Sequence, residues 1–333
     1  MAQSFVNEMP HEWKTEPCLG DDLETVVHMN VPPDDYMLAC HVRVGRQQIR
    51  SSFIRTISPV EMREIYDAMT KVADFDNCCN LYEICDRNYG SILSFYSQLK
   101  TEYRANRNRA GGFIDDTVLE MNRLLLNYLA SFKTFVDHLK TRYSRLPSQK
   151  GEYLADFNSI CSACFDTDFY YRFFSKLRDY VQHCGLPVHY VVIEETPGRL
   201  DISMGFDRDL LMSHFKKWGP VRKDLIRQPE RFEVIPSLGK LRDQIQLINT
   251  AVTCIELSIA YDSCNRLCGL INEVAGHYPD GEPFIGRLAR RGTAKPSLEM
   301  INFPYHQMRR FHEKHEGVRK SGSGIKLPRE SQN

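Results

Sequence analysis

An arginine and a histidine stand five positions apart in one apolar-striped segment, Arg178 and His183, with Asp179 directly after the arginine. Histidine can take a proton from a reacting oxygen or return one, because its usual pKa lies close to neutral pH. A fixed guanidinium can stabilise the negative charge that builds on phosphorus when a phosphodiester is cleaved. These residue types therefore suit acid–base chemistry at a phosphodiester that needs no metal ion.

The spacing of these three residues sets a geometric condition. On a helix Asp179 and His183 are i and i+4, so the carboxylate can hold the imidazole tautomer and favour its protonated form. Arg178 and His183 are i and i+5, about 140° apart, so one straight helix does not aim both at a single phosphate. A frayed helix end, or two copies of the motif in a homodimer, would remove this difficulty, and a homodimer is expected.

The same residue pattern recurs elsewhere in the chain. Arg208-Asp209 with His214 fits it on a predicted short helix, and Arg309 and Arg310 with His315 fit it near the C-terminus. The Arg208 match is a rival for the site. In a third interpretation Arg178 is simply solvated and His183 only interacts with the helix dipole.

The segment Arg178-Asp179-Tyr180-Val181-Gln182-His183 resembles the R-x(4–6)-H motif of the HEPN superfamily, the "higher eukaryotes and prokaryotes nucleotide-binding" helical bundles, in which Asn, Asp or His is preferred after the arginine. By motif and helix order the resemblance covers about residues 112–276. It implies a metal-independent endoribonuclease with Arg178 and His183 as catalytic residues and Asp179 in support. It also implies composite sites in a dimer, RNA as substrate, and roles in toxin–antitoxin systems or antiviral defence, with an antitoxin or regulatory protein as a further partner.

Cysteine and histidine pairs with metal-ligand spacing are a competing feature. Cysteines three or four positions apart on helices usually pack as small hydrophobic residues, and an exposed histidine pair usually belongs to a solvated helix face. We therefore expect neither a metal ion nor a cofactor. The pairs and clusters are Cys161 with Cys164, Cys264 with Cys268, Cys78 and Cys79 with Cys85, and His312 with His315.

Composition narrows the class of protein. The 333 residues contain 43 Lys and Arg against 43 Asp and Glu, so no global basic field indicates nucleic acid, although a local patch is compatible with this balance. Eleven cysteines form no compact framework and no export leader is visible, which predicts a cytoplasmic protein with reduced thiols. No apolar run approaches the length of a membrane span. Walker and G-x-G-x-x-G motifs are absent from the sequence.

Hydrophobic periodicity and capping signals predict the elements that must position the motif. Ser58 to Glu61 forms a capping box, and apolar residues of one long helix follow a heptad pattern that asks for helical partners. The predicted elements are a hairpin of 36–44 and 48–57, helices over 59–75, 89–103 and 115–143, a helix with a stripe from 157 to 180 that stops at Gly185, a hairpin of 188–195 and 200–206, a short helix over 207–218, and a long helix capped by Ser237 with its seam at Leu241, Ile245, Ile248, Val252, Ile255 and Ile259.

The predicted fold class is mainly α, a bundle of long antiparallel helices with one or two short β-hairpins. We expect an irregular arm over the first 35 residues and a boundary near the glycines at 111–112. The predicted organisation is an N-terminal hairpin plus helices over 1–110, a HEPN-like helical bundle with an inserted hairpin over 111–278, and a basic, partly disordered tail over 279–333. The alternative function is a non-catalytic helical binding or scaffold protein whose N-terminal region or basic tail contacts a partner.

Overall fold

The computed structural model describes residues 35–44, 48–105, 110–147, 151–289 and 297–320. The predicted arm up to residue 34, the first hairpin turn and the end of the predicted tail lie outside this range. The described chain is mainly helical, which confirms the predicted class. None of its helices is long and apolar enough to cross a membrane.

Eight helices and seven strands are found in the described residues. The helices are α1 Pro59–Ala105, α2 Ala110–Ser144, α3 Gly151–Thr167, α4 Phe169–His183, α5 Arg208–His214, α6 Val221–Ile226, α7 Val234–His277 and α8 Tyr305–Lys320. The strands are β1 Tyr36–Val44, β2 Gln48–Ile57, β3 Tyr190–Thr196, β4 Arg199–Asp207, β5 Arg231–Glu233, β6 Glu282–Ala289 and β7 Ser297–Asn302.

The chain divides into two compact units. The first contains the described residues up to Met69 together with Ser263–Pro304, and the second contains Thr70–Asp262 together with the described residues from Tyr305 onward. These boundaries differ from the predicted ones at 110 and 278. The predicted tail contains strands β6 and β7 in the first unit and helix α8 in the second.

The first unit is built on a four-stranded antiparallel sheet in the order β2-β1-β6-β7. Strands β1 and β2 have the predicted bounds, which confirms the first hairpin. Ser58 is confirmed as the N-cap, since the Glu61 backbone N–H donates to Ser58 Oγ at 3.1 Å where α1 begins. The reciprocal half of the predicted capping box is not found among the described residues, where both Glu61 carboxylate oxygens accept from Arg55.

Helix α1 is one continuous helix where two were predicted. Within the second unit Cys78, Cys85, Ile92 and Leu99 recur every seven residues, and each is at most 3 % exposed. One apolar face therefore continues through the predicted gap, because cysteine packs there as a small hydrophobic residue.

The predicted single helix from 157 to 180 is in fact two helices, α3 and α4. Asp168 separates them with an extended backbone, φ −113° and ψ 123°, and its Oδ1 accepts from the Tyr171 N–H at 2.8 Å. A carboxylate in this place satisfies a backbone donor that would otherwise be unpaired, so a new helix begins.

Helix α7 begins at Val234, three residues before the predicted Ser237 cap. The Ser237 hydroxyl therefore lies inside the first turns, where it donates to the Glu233 carbonyl at 2.6 Å. The seam residues from Leu241 to Ile259 are buried in the core of the second unit by this chain's own side chains. The seam therefore gives no reason to require a second copy.

A three-stranded sheet in the order β3-β4-β5 follows α4 in the second unit. The second hairpin is confirmed to within two residues, with Gly198 at φ +86° in its turn. At Gly205 a Cβ would clash with the Phe232 carbonyl and the Tyr190 ring, so only glycine fits. The predicted helix over 207–218 ends at His214, after which the chain forms α6.

Candidate active site at the end of helix α4

Helix α4 is fixed by an aromatic face. Phe173, Leu177 and Tyr180 recur at i, i+4 and i+7, and each is at most 1 % exposed. The Cys184 backbone N–H donates to the Tyr180 carbonyl at 2.8 Å, and Gly185 follows. The predicted motif therefore occupies the last turns of a well-anchored helix.

Arg178 and His183 are accessible at this helix end, where Arg178 is half-buried and His183 is exposed. Within the described residues neither side chain makes a hydrogen bond or an ion pair. Asp179 instead pairs with Lys176, its Oδ2 lying 3.1 Å from Nζ. The expected hydrogen bond between Asp179 and His183 does not form among the described residues.

Another arginine of the same helix is used very differently. Arg172 Nη1 donates to the carbonyls of Phe165 at 2.6 Å and of Asp166 at 2.9 Å. Its Nη2 donates to Asp224 Oδ2 at 2.9 Å. With its side chain 14 % exposed, Arg172 joins the end of α3 to α6 as a structural cation.

The rival arginine, Arg208, is also bound. Its Nε donates to Asp209 Oδ1 at 2.9 Å, and its Nη1 donates to the Gln228 carbonyl at 2.8 Å. The bond to Gln228 ties the start of α5 to the segment that leads into β5. Arg208 therefore has fewer donors left for a ligand than Arg178.

The third match is bound in the same way. Arg310 on α8 donates to Asp76 Oδ1 at 2.8 Å and to Glu83 Oε2 at 2.9 Å on α1. The ring of His315 stacks on Phe311, with 6.1 Å between ring centroids. Arg310 therefore fastens α8 to the part of α1 that lies in the second unit.

The structure adds a cluster that the sequence analysis missed. The Tyr180 hydroxyl lies 3.5 Å from His189 Nε2 and 3.5 Å from His214 Nδ1. His189 Nδ1 in turn accepts from the Asp207 backbone N–H at 3.2 Å. Tyr180 lies inside the predicted motif and His214 belongs to the rival one, so the two candidate segments meet at this hydroxyl.

Buried contacts hold this cluster in place. Asn122 on α2, 1 % exposed, accepts from the Val188 N–H at 3.0 Å and donates to the Val188 carbonyl at 3.2 Å. This pair of bonds fixes the residue next to His189. The Tyr180 ring stacks on Trp218 with 6.1 Å between centroids, and it meets the Phe215 ring edge-on.

The electrostatics of the cluster follow from its burial. Burial lowers the pKa of His189 below its usual value, and the nearby Asp207 carboxylate opposes this only in part. His214 adds to the lowering. Burial raises the pKa of Tyr180, and Cys184 raises it further. His189 is therefore neutral and Tyr180 protonated at neutral pH.

Each predicted cysteine group combines buried members with one that is only half-buried, namely Cys79, Cys161 and Cys268. Cys78, Cys85, Cys164 and Cys264 are buried, and no disulfide joins any of the ten described cysteines. Burial raises the pKa of Cys85 to about 12 and that of Cys161 to about 11. These two thiols therefore stay protonated and unreactive at neutral pH.

Comparisons with known proteins assign no relative to this site. No protein-family model matches the chain, and neither the curated proteins nor the solved structures gave a match. The functional argument therefore depends on the side chains themselves: an arginine and a histidine at the end of α4, and the tyrosine between them that reaches two further histidines.

Proposed function

We propose that this chain is a metal-independent endoribonuclease of the HEPN kind, with His183 as acid–base group and Arg178 as the cation that stabilises the phosphorane. One observation carries the proposal: Arg178 is a partly exposed guanidinium with no partner within the described residues, whereas Arg172, Arg208 and Arg310 are all bound. An arginine with unused donors can offer its planar fork to a phosphodiester.

The proposed reaction is an attack of the ribose 2′-oxygen on the neighbouring phosphorus. A base takes the proton of the ribose 2′-hydroxyl, the 2′-oxygen bonds to phosphorus, and the bond from phosphorus to the 5′-oxygen breaks. The 5′-oxygen leaves with a proton from an acid, which gives a 2′,3′-cyclic phosphate and a 5′-hydroxyl. His183 is exposed, so RNA can reach its imidazole without opening the fold.

The experiment is cleavage of labelled RNA in the presence of EDTA. We expect the wild-type chain to produce 2′,3′-cyclic phosphate ends, and His183→Ala to be slower by about 100-fold or more. His138→Ala is the matched control, because His138 is also an exposed helical histidine. A requirement for magnesium, 3′-hydroxyl products, or full activity of His183→Ala would contradict the proposal.

A homodimer would bring an arginine of one copy and a histidine of the other to the same phosphate, which one straight helix cannot do. Arg178 and His183 lie about 140° apart on α4, so we propose that two copies of an antiparallel helical bundle combine their motifs at RNA. Mixing inactive Arg178→Ala and His183→Ala chains should then restore part of the activity. No restoration, together with a monomer in sedimentation at micromolar concentration, would contradict the composite site.

The proposed setting is the cytoplasm, with an antitoxin or another regulatory protein as a possible partner in a toxin–antitoxin or antiviral defence system. A binding or scaffold protein without catalysis is the second candidate, and the pairing of Asp179 with Lys176 favours it, since it leaves His183 without a supporting carboxylate. Expression in cells separates the two. A nuclease should be toxic, and His183→Ala should remove the toxicity.

A further inference from the structure

The cluster of Tyr180, His189 and His214 has a deducible arrangement of hydrogens. The backbone N–H of Asp207 can only donate, so His189 Nδ1 is an acceptor. A neutral imidazole carries its hydrogen on one nitrogen, so that of His189 lies on Nε2 and points to the Tyr180 oxygen. The tyrosine hydrogen is then left for His214 Nδ1.

The successive donors of this cluster also determine which nitrogen of His214 carries a hydrogen. When His214 Nδ1 accepts from Tyr180, the imidazole carries its hydrogen on Nε2. His214 is exposed, whereas Tyr180 is 1 % exposed. The cluster therefore presents the Nε2–H of His214 to the surface. Successive hydrogen bonds of this kind polarise each other, which strengthens each bond.

The charges around the cluster agree with this arrangement. Asp207 is occupied by its role as N-cap of α5, where its Oδ1 accepts from the Leu210 N–H at 2.9 Å. Its carboxylate does not hold His189 in the charged form, because burial has the larger effect on that pKa. Cys184 acts on Tyr180 in the direction that retains the hydroxyl hydrogen.

We propose that Tyr180 and His189 fix the orientation of His214, with Nδ1 as acceptor, so that its outward Nε2–H binds a phosphodiester oxygen of RNA. The inference rests on the proposed function for its ligand and adds a residue to that site. Tyr180 and His189 are positioning residues, and His214 is the group that touches the substrate. An N–H that is held in place stabilises developing negative charge without having to reorganise.

A metal ion is a poor fit to the same cluster. A metal needs an imidazole lone pair, but Nδ1 of His189 accepts from a backbone amide and Nδ1 of His214 accepts from tyrosine. An anion needs donors, and the outward N–H of His214 is one. His183 lies three residues after Tyr180, one turn further along the same side of α4, so both histidines flank one helix end.

Nitrogen NMR of the histidine side chains tests the hydrogen arrangement without any nuclease assay. In the wild-type chain we expect His214 to be protonated at Nε2 and unprotonated at Nδ1. Tyr180→Phe keeps the stacked ring and removes the hydroxyl, and it should give a mixture of both tautomers. Tyr96→Phe is the matched control, since it removes a hydroxyl that donates to the Ile202 carbonyl at 2.8 Å. His214 protonated at Nδ1 in the wild-type chain, or unaltered by Tyr180→Phe, would overturn the inference.

The ligand is tested with RNA whose 2′-hydroxyls are methylated, so that it binds without being cleaved. We expect the Nε2–H resonance of His214 to shift on binding, and Tyr180→Phe to weaken the binding by about 10-fold while Tyr96→Phe leaves it unchanged. A shift at His183 with none at His214 would overturn this inference alone. If neither histidine responds, both the inference and the proposed function fail.

Discussion

The segments 178–183 and 208–214 both place an arginine directly before an aspartate and end a helix on a histidine. In α4 the arginine has no partner within the described part of the chain, and the aspartate pairs with Lys176. In α5 the arginine binds its own aspartate and the carbonyl of Gln228. The same sequence pattern thus leaves the guanidinium of Arg178 available to a ligand, whereas that of Arg208 is used in structural hydrogen bonds.

The difference arises from what the surrounding chain brings to each helix. Helix α5 has seven residues, and the segment before β5 passes close enough for a backbone carbonyl to reach Arg208. Helix α4 is longer, and the carbonyls that approach it are taken by Arg172 near its start. Whether an arginine of this motif is free to bind a ligand therefore depends on the carbonyls and carboxylates that the fold brings near it.

Both segments lie against one aromatic cluster, so its disruption should have the largest effect. The Phe173 ring contacts Phe206, Trp218 and Phe232, with centroids 5.4 to 5.9 Å apart. Phe173→Ala should lower the free energy of unfolding by about 3–5 kcal/mol in urea denaturation. Leu119→Ala, at a side chain 63 % exposed, should change it by no more than about 0.5 kcal/mol. Equal losses in the two variants would mean that the cluster does not support both segments.

The two arginines Arg172 and Arg178 of α4 allow a bound and an unbound guanidinium to be compared on a single helix. Arg172→Ala removes three hydrogen bonds of a largely buried guanidinium and should cost about 1.5–3 kcal/mol of unfolding free energy. Arg178→Ala removes no bond to the described chain and should stay within about 0.5 kcal/mol. Thermal and urea unfolding of the two variants measure this. A large loss at Arg178 would show that it too is structural.

The pH dependence of stability should report on His189. Because its pKa is lowered in the folded chain, the unfolded chain binds more protons as the pH falls below about 6.5, and the free energy of unfolding decreases there. His189→Asn retains an acceptor for the Asp207 N–H, and it should reduce this slope. Part of the slope should remain, since burial also lowers the pKa of His41 in the first unit. Urea unfolding between about pH 7.5 and about pH 5.5 measures it, and identical slopes would contradict neutral His189.

Local pattern predicted the hairpins and the Ser58 N-cap, because alternation and capping depend on neighbouring residues. The same local pattern wrongly predicted a gap in α1, because buried cysteines at 78 and 85 continue the apolar face there. It also missed the break at Asp168, since the apolar stripe continues on both sides of that residue. Spacing singled out Arg178 and His183. It could not find the meeting of Tyr180 with two histidines 9 and 34 residues away, because this depends on the pairing of β3 with β4 and on the Asn122 contact.

The most direct test of the account compares Arg178→Ala with Arg208→Ala in RNA cleavage and thermal unfolding. We predict that Arg178→Ala keeps the wild-type Tm and cleaves RNA about 100-fold or more slowly, since it removes only the cation at the phosphate. Arg208→Ala should have a lower Tm, because its bonds to Asp209 and Gln228 are lost, and should keep most of the activity of the folded chain. The reverse result, with activity lost at Arg208 and kept at Arg178, would contradict the assignment.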